Sequence, residues 1–404
     1  MSKFKISAIN KDGKKYEGPR DSNDKFSLYE ELKGEGETLI SAVKIEEESK
    51  VSKVLSVPFS IVPEHQKIIF VKNLGSMISA GLPLARCLSI LEKQIKNTKF
   101  KNVILSMETD IKKGKTLSDS AKNYPRIFSN LFVSMVRAGE ESGKLAESLT
   151  IVGNQLESSY KLKKKVKGAM IYPSVILAVM ITIGVLMLVY VVPGITATFK
   201  DLNVKLPAMT NILIACSDFL KNNFLLSIII VIAMGIGYYL FSISKFGKRV
   251  IDNITLSLPV VGNLSREVNS ARICRTISSL LSSGVPFSEA IKITSDVVQN
   301  SYFKNLLNEA KIQVEKGETI SGVFLKKEKL SPVFVGEMMN VGEETGRLPA
   351  MLLEVAIFYE NSVDQKTKDM SAIIEPVLMV IIGVAVGFFA LSMITPIYSL
   401  MDTI

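Results

Sequence analysis

Scarcity narrows the possibilities before any motif is considered. His65 is the sole histidine, so a Ser-His-Asp or Cys-His site would have to be built around one residue that stands beside Pro63 in an apparent link. A solvated side chain is the expectation there. Cys87, Cys216 and Cys274 show no CxxC spacing, which speaks against a disulfide framework or a zinc cage. No HExxH, DxDxDG or paired-cysteine pattern offers a metal site, and neither a metal nor another cofactor is expected. The first residues, MSKFKISAINKDGKKYEG, are polar and strand-like instead of carrying the apolar run of a secretory leader. Membrane insertion would then rely on internal segments.

Apolar residues are what the chain has in excess. Its 404 residues are 47% hydrophobic with a mean hydropathy of +0.28, too apolar for an ordinary soluble enzyme of this length. Charged residues still make up 22% and lie mostly outside three apolar runs, so water-facing domains accompany the membrane part. The net charge of +10 raises the question of nucleic acid. The densest basic run, KLKKKVKG at 161–168, abuts an apolar segment and has no interleaved aromatics, which favours anionic headgroups over nucleic acid.

The run 169–193 is free of charge and as a helix would extend about 36 Å, enough to cross a hydrocarbon core of about 30 Å. Residues 224–243 form a second uncharged run, and 373–395 a third whose only charge is Glu375. Lys and Arg number five in 161–168, three in 244–255 and two in 360–371. The loop 194–223 has three lysines offset by two aspartates, and the tail 396–404 has none. The positive-inside rule then makes 1–168 and 244–372 cytoplasmic and the C-terminus extracytoplasmic, in a multi-pass protein of the cytoplasmic membrane.

Shifted by 203 residues, the chain matches itself. SAGLPLARCLSI (79–90) falls on SSGVPFSEAIKI (282–293), KFKN (99–102) on YFKN (302–305), KGKT (113–116) on KGET (316–319), and GEESGKL (139–145) on GEETGRL (342–348). Pro173, Gly184 and Pro193 fall on Pro376, Gly387 and Pro396. One unit is therefore a soluble domain followed by its own span, and the unmatched run 224–243 is a return helix. Apolar spacing such as Ile104, Met107 and Ile111 makes each unit a bundle of about six helices. Gly81 and Gly284 end helices before Pro83 and Pro286, and Thr116 and Thr319 serve as N-caps.

The expected fold is an all-α membrane protein with two homologous cytoplasmic bundles, 57–168 and 244–372, and a small α/β module in 1–56. In that module FKISAI and KKYEG read as strands around an NKDG turn, with a helix near Ser27–Lys33. The charged EEESKVSKV at 46–54 reads as a link.

GEESGKL looks at first like a phosphate-binding loop. It has three residues between its glycines instead of four, Leu145 where a hydroxyl is needed, a helical segment before it, and Arg347 in place of Lys144 in the second copy. The better reading is a helix corner in which Gly143 and Gly346 take positive φ. Glu140, Glu141, Glu343 and Glu344 would then interact with the start of the following helix or face a partner. Glu375, near the start of its span, either anchors the helix by snorkelling or bonding a neighbour, or contacts another subunit or a pilin. Pro173 and Pro376 stand where they could kink their spans.

The doubled SAGLP/SSGVP, KGKT/KGET and GEESGKL/GEETGRL, with IYP and IEP at the start of the spans and the return helix between, resemble the inner-membrane platform protein of type IV pilus and type II secretion machines, the PilC/GspF family. The likeness covers essentially the whole chain. One departure is NYPRIFSN (123–130), whose counterpart KKEKLSPV (326–333) carries its loop proline later in the register. The resemblance implies a non-enzymatic scaffold whose bundles sit against a hexameric ATPase and pass its motion to pilins or pseudopilins drawn from the bilayer. It also implies other inner-membrane assembly partners and a homodimer or higher oligomer. A transporter would place its repeats in the membrane with polar groups near the midplane, and an intramembrane protease would need two carboxylates there. Neither fits.

Overall fold

The computed structural model describes residues 2–9, 15–22, 25–34, 36–45, 62–194, 196 and 208–401, and the chain divides into two compact units, 1–61 and 62–404. In the first, β1 (Ser2–Ile9), β2 (Lys15–Ser22) and β3 (Thr38–Ile45) form an antiparallel sheet of order β2-β1-β3, with α1 (Lys25–Gly34) between β2 and β3. Ile6 and Ala8, two apart on one face of β1, are buried with Leu28 and Leu32, one helical turn apart on α1. The third strand is an addition to the sequence reading. TLISAVKI has apolar residues in both parities, so its period does not declare a strand. The NKDG turn at 10–13 and the link at 46–54 lie outside the described residues.

The second unit begins with α2 (Glu64–Ser79), α3 (Leu84–Gln94), α4 (Thr98–Lys112), α5 (Leu117–Lys122), α6 (Asn130–Glu141) and α7 (Leu145–Ala169). It continues through α8 (Ile171–Leu186), a π-helical segment (Met187–Val191), α9 (Ala208–Asn222), α10 (Phe224–Ile243) and α11 (Lys245–Ser257). The second copy of the bundle follows as α12 (Pro259–Ser282), α13 (Phe287–Val297), α14 (Ser301–Glu315), α15 (Ile320–Leu325), α16 (Val333–Glu344) and α17 (Leu348–Met401). His65 lies in the first turn of α2, exposed, instead of in a link.

The two cores repeat one another. Leu74, Leu88, Phe100, Ile104, Leu117, Leu149 and Val152 are buried, and so are their partners at the 203-residue offset, Ile277, Ile291, Phe303, Leu307, Ile320, Leu352 and Val355. Burying each such side chain contributes about 1.5 to 3 kcal/mol. Where sizes differ they compensate: α5 and α6 bring Ala121 and Phe132 to the core, whereas α15 and α16 bring Phe324 and Val335. A close-packed interior tolerates such a swap because total volume is kept. Thr116 and Thr319 cap α5 and α15, their hydroxyls accepting from Asp119 N and Gly322 N. Gly81 and Gly284 end α2 and α12 with φ of 85° and 86°. In the loop where the copies depart, Ser129 caps α6 through its hydroxyl and Pro332 takes the same place before α16.

The bundles pack on each other along their longest helices. From α7, the buried Gln155 amide donates to Thr276 Oγ1 at 3.0 Å, and its oxygen accepts from Ser279 Oγ at 3.1 Å, both on α12. The apolar core of the first bundle continues into Leu280, Val285, Ala290 and Ile293 of the second. Lys165 on α7 reaches Asp364 on α17 at 2.9 Å.

Among the described residues, three helices are long and apolar enough to cross a membrane, contained in 145–194, 224–243 and 348–394. In the first, a one-residue turn at Met170, three residues before Pro173, separates α7 from α8, where the proline ring crowds the turn before it. By contrast, α17 runs unbroken through Pro376. The segment 194–223, read from sequence as a loop, contains α9, which ties two spans together. Ser217 Oγ donates to Leu188 O at 2.6 Å within the π segment, and Thr210 Oγ1 to Ser392 O at 2.7 Å on α17. A π turn disturbs the α-helical hydrogen-bond ladder, and here the hydroxyl meets one of its carbonyls.

Candidate functional site

The doubled corner is built from a left-handed glycine and a close helix approach. Gly143 and Gly346 have φ of 71° and 67°. After Gly143 the chain closes with Gly143 N–H on Glu140 O at 3.2 Å and Lys144 N–H on Gly139 O at 2.8 Å, the paired bonds of a Schellman turn. The glycine four residues earlier is needed for another reason. A Cβ on Gly139 would collide with Ser148 on α7, and one on Gly342 would press on Leu348 of α17, so each corner folds its two helices into direct backbone proximity.

The acidic residues of the corner divide into an inward and an outward pair. Glu140 and Glu343 are half-buried, and each carboxylate accepts two backbone N–H groups at the start of an earlier helix instead of the following one. Glu140 takes Leu117 N at 2.5 Å and Ser118 N at 3.1 Å on α5. Glu343 takes Ile320 N at 2.8 Å and Ser321 N at 3.2 Å on α15. Together with Thr116 and Thr319, they satisfy three of the four donors that a helix start leaves open. The N–H groups at the starts of α5 and α15, where an anion could otherwise sit, are thus occupied by the chain's own carboxylate and hydroxyl oxygens. Glu141 and Glu344 point outward, exposed on the corner beside Lys144 and Arg347. Asn340 Nδ2 donates to Glu344 at 2.8 Å.

Two ion pairs obey the same 203-residue offset and escaped the sequence reading. Lys72 of α2 meets Glu157 of α7 at 2.5 Å, and their counterparts Arg275 and Glu360 join α12 to α17 through a two-pronged contact whose Nη2 to Oε2 distance is 2.7 Å. Lys163 reaches Glu64 at 2.6 Å, and Lys366 reaches Glu267 at 2.5 Å. Comparing charge at the offset, and not only identical strings, would have exposed both. They also revise the basic run at 161–168, in which Lys161, Lys163 and Lys165 are each paired with a carboxylate instead of all facing headgroups. Hydrogen bonds from Lys161 and Lys72 hold the Glu157 carboxyl down at about 2. Burial raises the Cys87 and Cys274 thiols, so both behave as small core side chains and not as nucleophiles.

Glu375 is exposed on α17, among apolar residues that include Val377 and Met379. It lies well down α17 from the second corner, which that helix leaves at Leu348. Among the described residues, no group of His, Cys, Asp and Glu is placed to hold a metal ion.

Comparison with known proteins matches this duplicated architecture. The family model of the type II secretion system (T2SS) protein F aligns twice, with residues 70–193 and 273–396, the same offset that superimposes the two bundles. The chain is 36% identical to the type IV pilus assembly protein PilC of Thermus thermophilus over 83% of this chain and 82% of that protein. It is 32% identical to PilC of Myxococcus xanthus over 100% and 96% of the two chains, and 28% identical to type II secretion system protein F of Vibrio cholerae over 98% of each. Two bundles, each continued into its own span, and a family match over both copies place this chain in the PilC and type II secretion protein F family.

Proposed function

We propose that this protein is the non-enzymatic inner-membrane platform of a type IV pilus or type II secretion machine, coupling a cytoplasmic motor ATPase to the extraction of pilins or pseudopilins from the bilayer. One observation carries the reading: each bundle's last helix leads into a membrane span, and the two bundles are joined by Gln155, Thr276 and Ser279 across a buried contact. A force applied to either bundle is thereby delivered to helices in the bilayer. In this reading residues 1–168 and 244–372 are cytoplasmic, the C-terminus is extracytoplasmic, and the platform works as a homodimer or higher oligomer among other inner-membrane assembly proteins.

The outward corners, Glu141 and Glu344, are the surfaces we assign to the motor, because their inward neighbours Glu140 and Glu343 are committed to capping. The test is co-purification of the full-length protein with a pilus or secretion motor ATPase of the same cell. Glu141→Lys with Glu344→Lys should weaken the complex while leaving the melting temperature unchanged. ATP hydrolysis by the purified protein alone would overturn the scaffold reading, and undiminished co-purification of the doubly reversed variant would remove the corners from the contact.

A further inference from the structure

We infer that α11 lies in the headgroup layer of the bilayer, with its Phe246, Val250 and Ile254 stripe at the acyl boundary and Lys248 and Arg249 on anionic lipid phosphates. The helix starts one residue after the span α10. Ser244 between them is extended, with φ −63° and ψ 146°, and its hydroxyl accepts from Gly247 N at 3.0 Å to open the new helix. A Cβ on Gly247 would collide with the Phe241 carbonyl oxygen, so the chain folds back tightly on the last turn of the span. A second extended residue, Leu258, ends α11, and Gly262 packs in the same way against the Leu256 carbonyl. The helix is thus a crossbar set between two sharp corners, tethered to the membrane edge at its first residue.

One side of the crossbar is engaged by protein. Leu256 is buried there, and the Asp252 carboxylate accepts Ser301 N at 2.8 Å at the start of α14. On the other side the described residues leave an apolar row uncovered. Phe246 is 74% exposed, Ile254 54% and Leu258 47%, with Val250 half-buried between them, in a single row at spacings of four. Lys248 and Arg249 are exposed and form no ion pair among the described residues. The one acid of α11, Asp252, is already used in capping. An apolar row beside free cations, fastened to the end of a spanning helix, is the composition of an interfacial helix on an anionic surface. A protein partner would have to displace lipid from the position to which the span holds this helix.

The chain contains no tryptophan, so Phe246→Trp and, separately, Ile254→Trp give full-length proteins with a single reporter each. They would be reconstituted in vesicles of phosphatidylcholine with phosphatidylglycerol, with lipids brominated near the headgroup or near the chain end. The expected result is blue-shifted emission that headgroup-proximal bromine quenches more strongly than chain-end bromine. Adding Lys248→Glu and Arg249→Glu should shift the emission to the red and reduce that quenching, and the loss should vanish in vesicles of phosphatidylcholine alone. Water-like emission, open to iodide and indifferent to brominated lipid at both positions in a protein of unchanged melting temperature, would overturn the inference. So would emission shielded from iodide yet untouched by brominated lipid, which would assign the row to a second copy of the chain.

Discussion

Glu140 and Glu343 each reach back 23 and 22 residues to cap the first turn of another helix, and this explains why single residues of the corner resist a purely local reading. The glycines and threonines were legible because their chemistry is local: positive φ and an N-cap hydroxyl act within a few residues. The carboxylates were not, since their partners lie outside any window a turn motif covers. Glu140→Gln should cost about 1 to 2 kcal/mol, because the amide keeps one acceptor but loses the charge that strengthens both bonds. Glu343→Gln should cost about the same, and Glu141→Gln almost nothing. Denaturant melts of the purified protein check the ranking, and equal effects at Glu140 and Glu141 would contradict the capping geometry.

At the level of elements, apolar periodicity located the helices of both bundles, and the uncharged runs located the spans, because each signal is repeated many times along one helix. Elements without a clean period were missed. β3 is apolar in both parities, and α9 lies in a connection whose length alone suggested a loop. The paired elements were missed as well, since an ion pair between α2 and α7 joins residues 85 apart and leaves its trace only in the charges repeated at the 203-residue offset. That pair carries a pH signature. Glu157 has its carboxyl lowered from 4.5 to about 2 in the folded protein, so the folded state binds its proton less readily than the unfolded chain. Its contribution is complete above the unfolded value and is lost as pH falls through the folded one. The difference in melting temperature between the wild type and Glu157→Gln should therefore be constant near neutrality, shrink as pH falls below 4.5 and be gone only below about 2. The counterpart pair is better shielded, with Arg275 and Glu360 only 13% and 20% exposed against 43% and 31% for Lys72 and Glu157. Added salt should accordingly weaken the first-bundle pair more than the second.

For the whole molecule, the duplication was legible because the offset of 203 residues holds without a gap from the first motif to the last, and the family match keeps it. How the two copies meet was not legible. Gln155 has Phe358 at its offset position, so the contact it makes with Thr276 and Ser279 breaks the repeat's symmetry. The proposed orientation has a direct chemical test, because Cys216 on α9 is exposed while Cys87 and Cys274 are buried. A membrane-impermeant maleimide added to intact spheroplasts should label Cys216 and spare the other two. Labelling of Cys216 only after permeabilisation would reverse the orientation of all three spans.

The same asymmetry reaches the helices that leave the bundles. In the first copy the path from α7 to α8 is interrupted at Met170, whereas α17 continues for 54 residues, about 80 Å at 1.5 Å per residue. A jointed strut and a one-piece rod respond differently to the same push. The turn at Met170 gives the first copy a place to bend between bundle and span, with the span itself pinned further along by Ser217 on Leu188 O, while α17 has no such interruption before its own span. The two copies of one repeat therefore meet the membrane differently, one through a hinge point and the other through a continuous shaft.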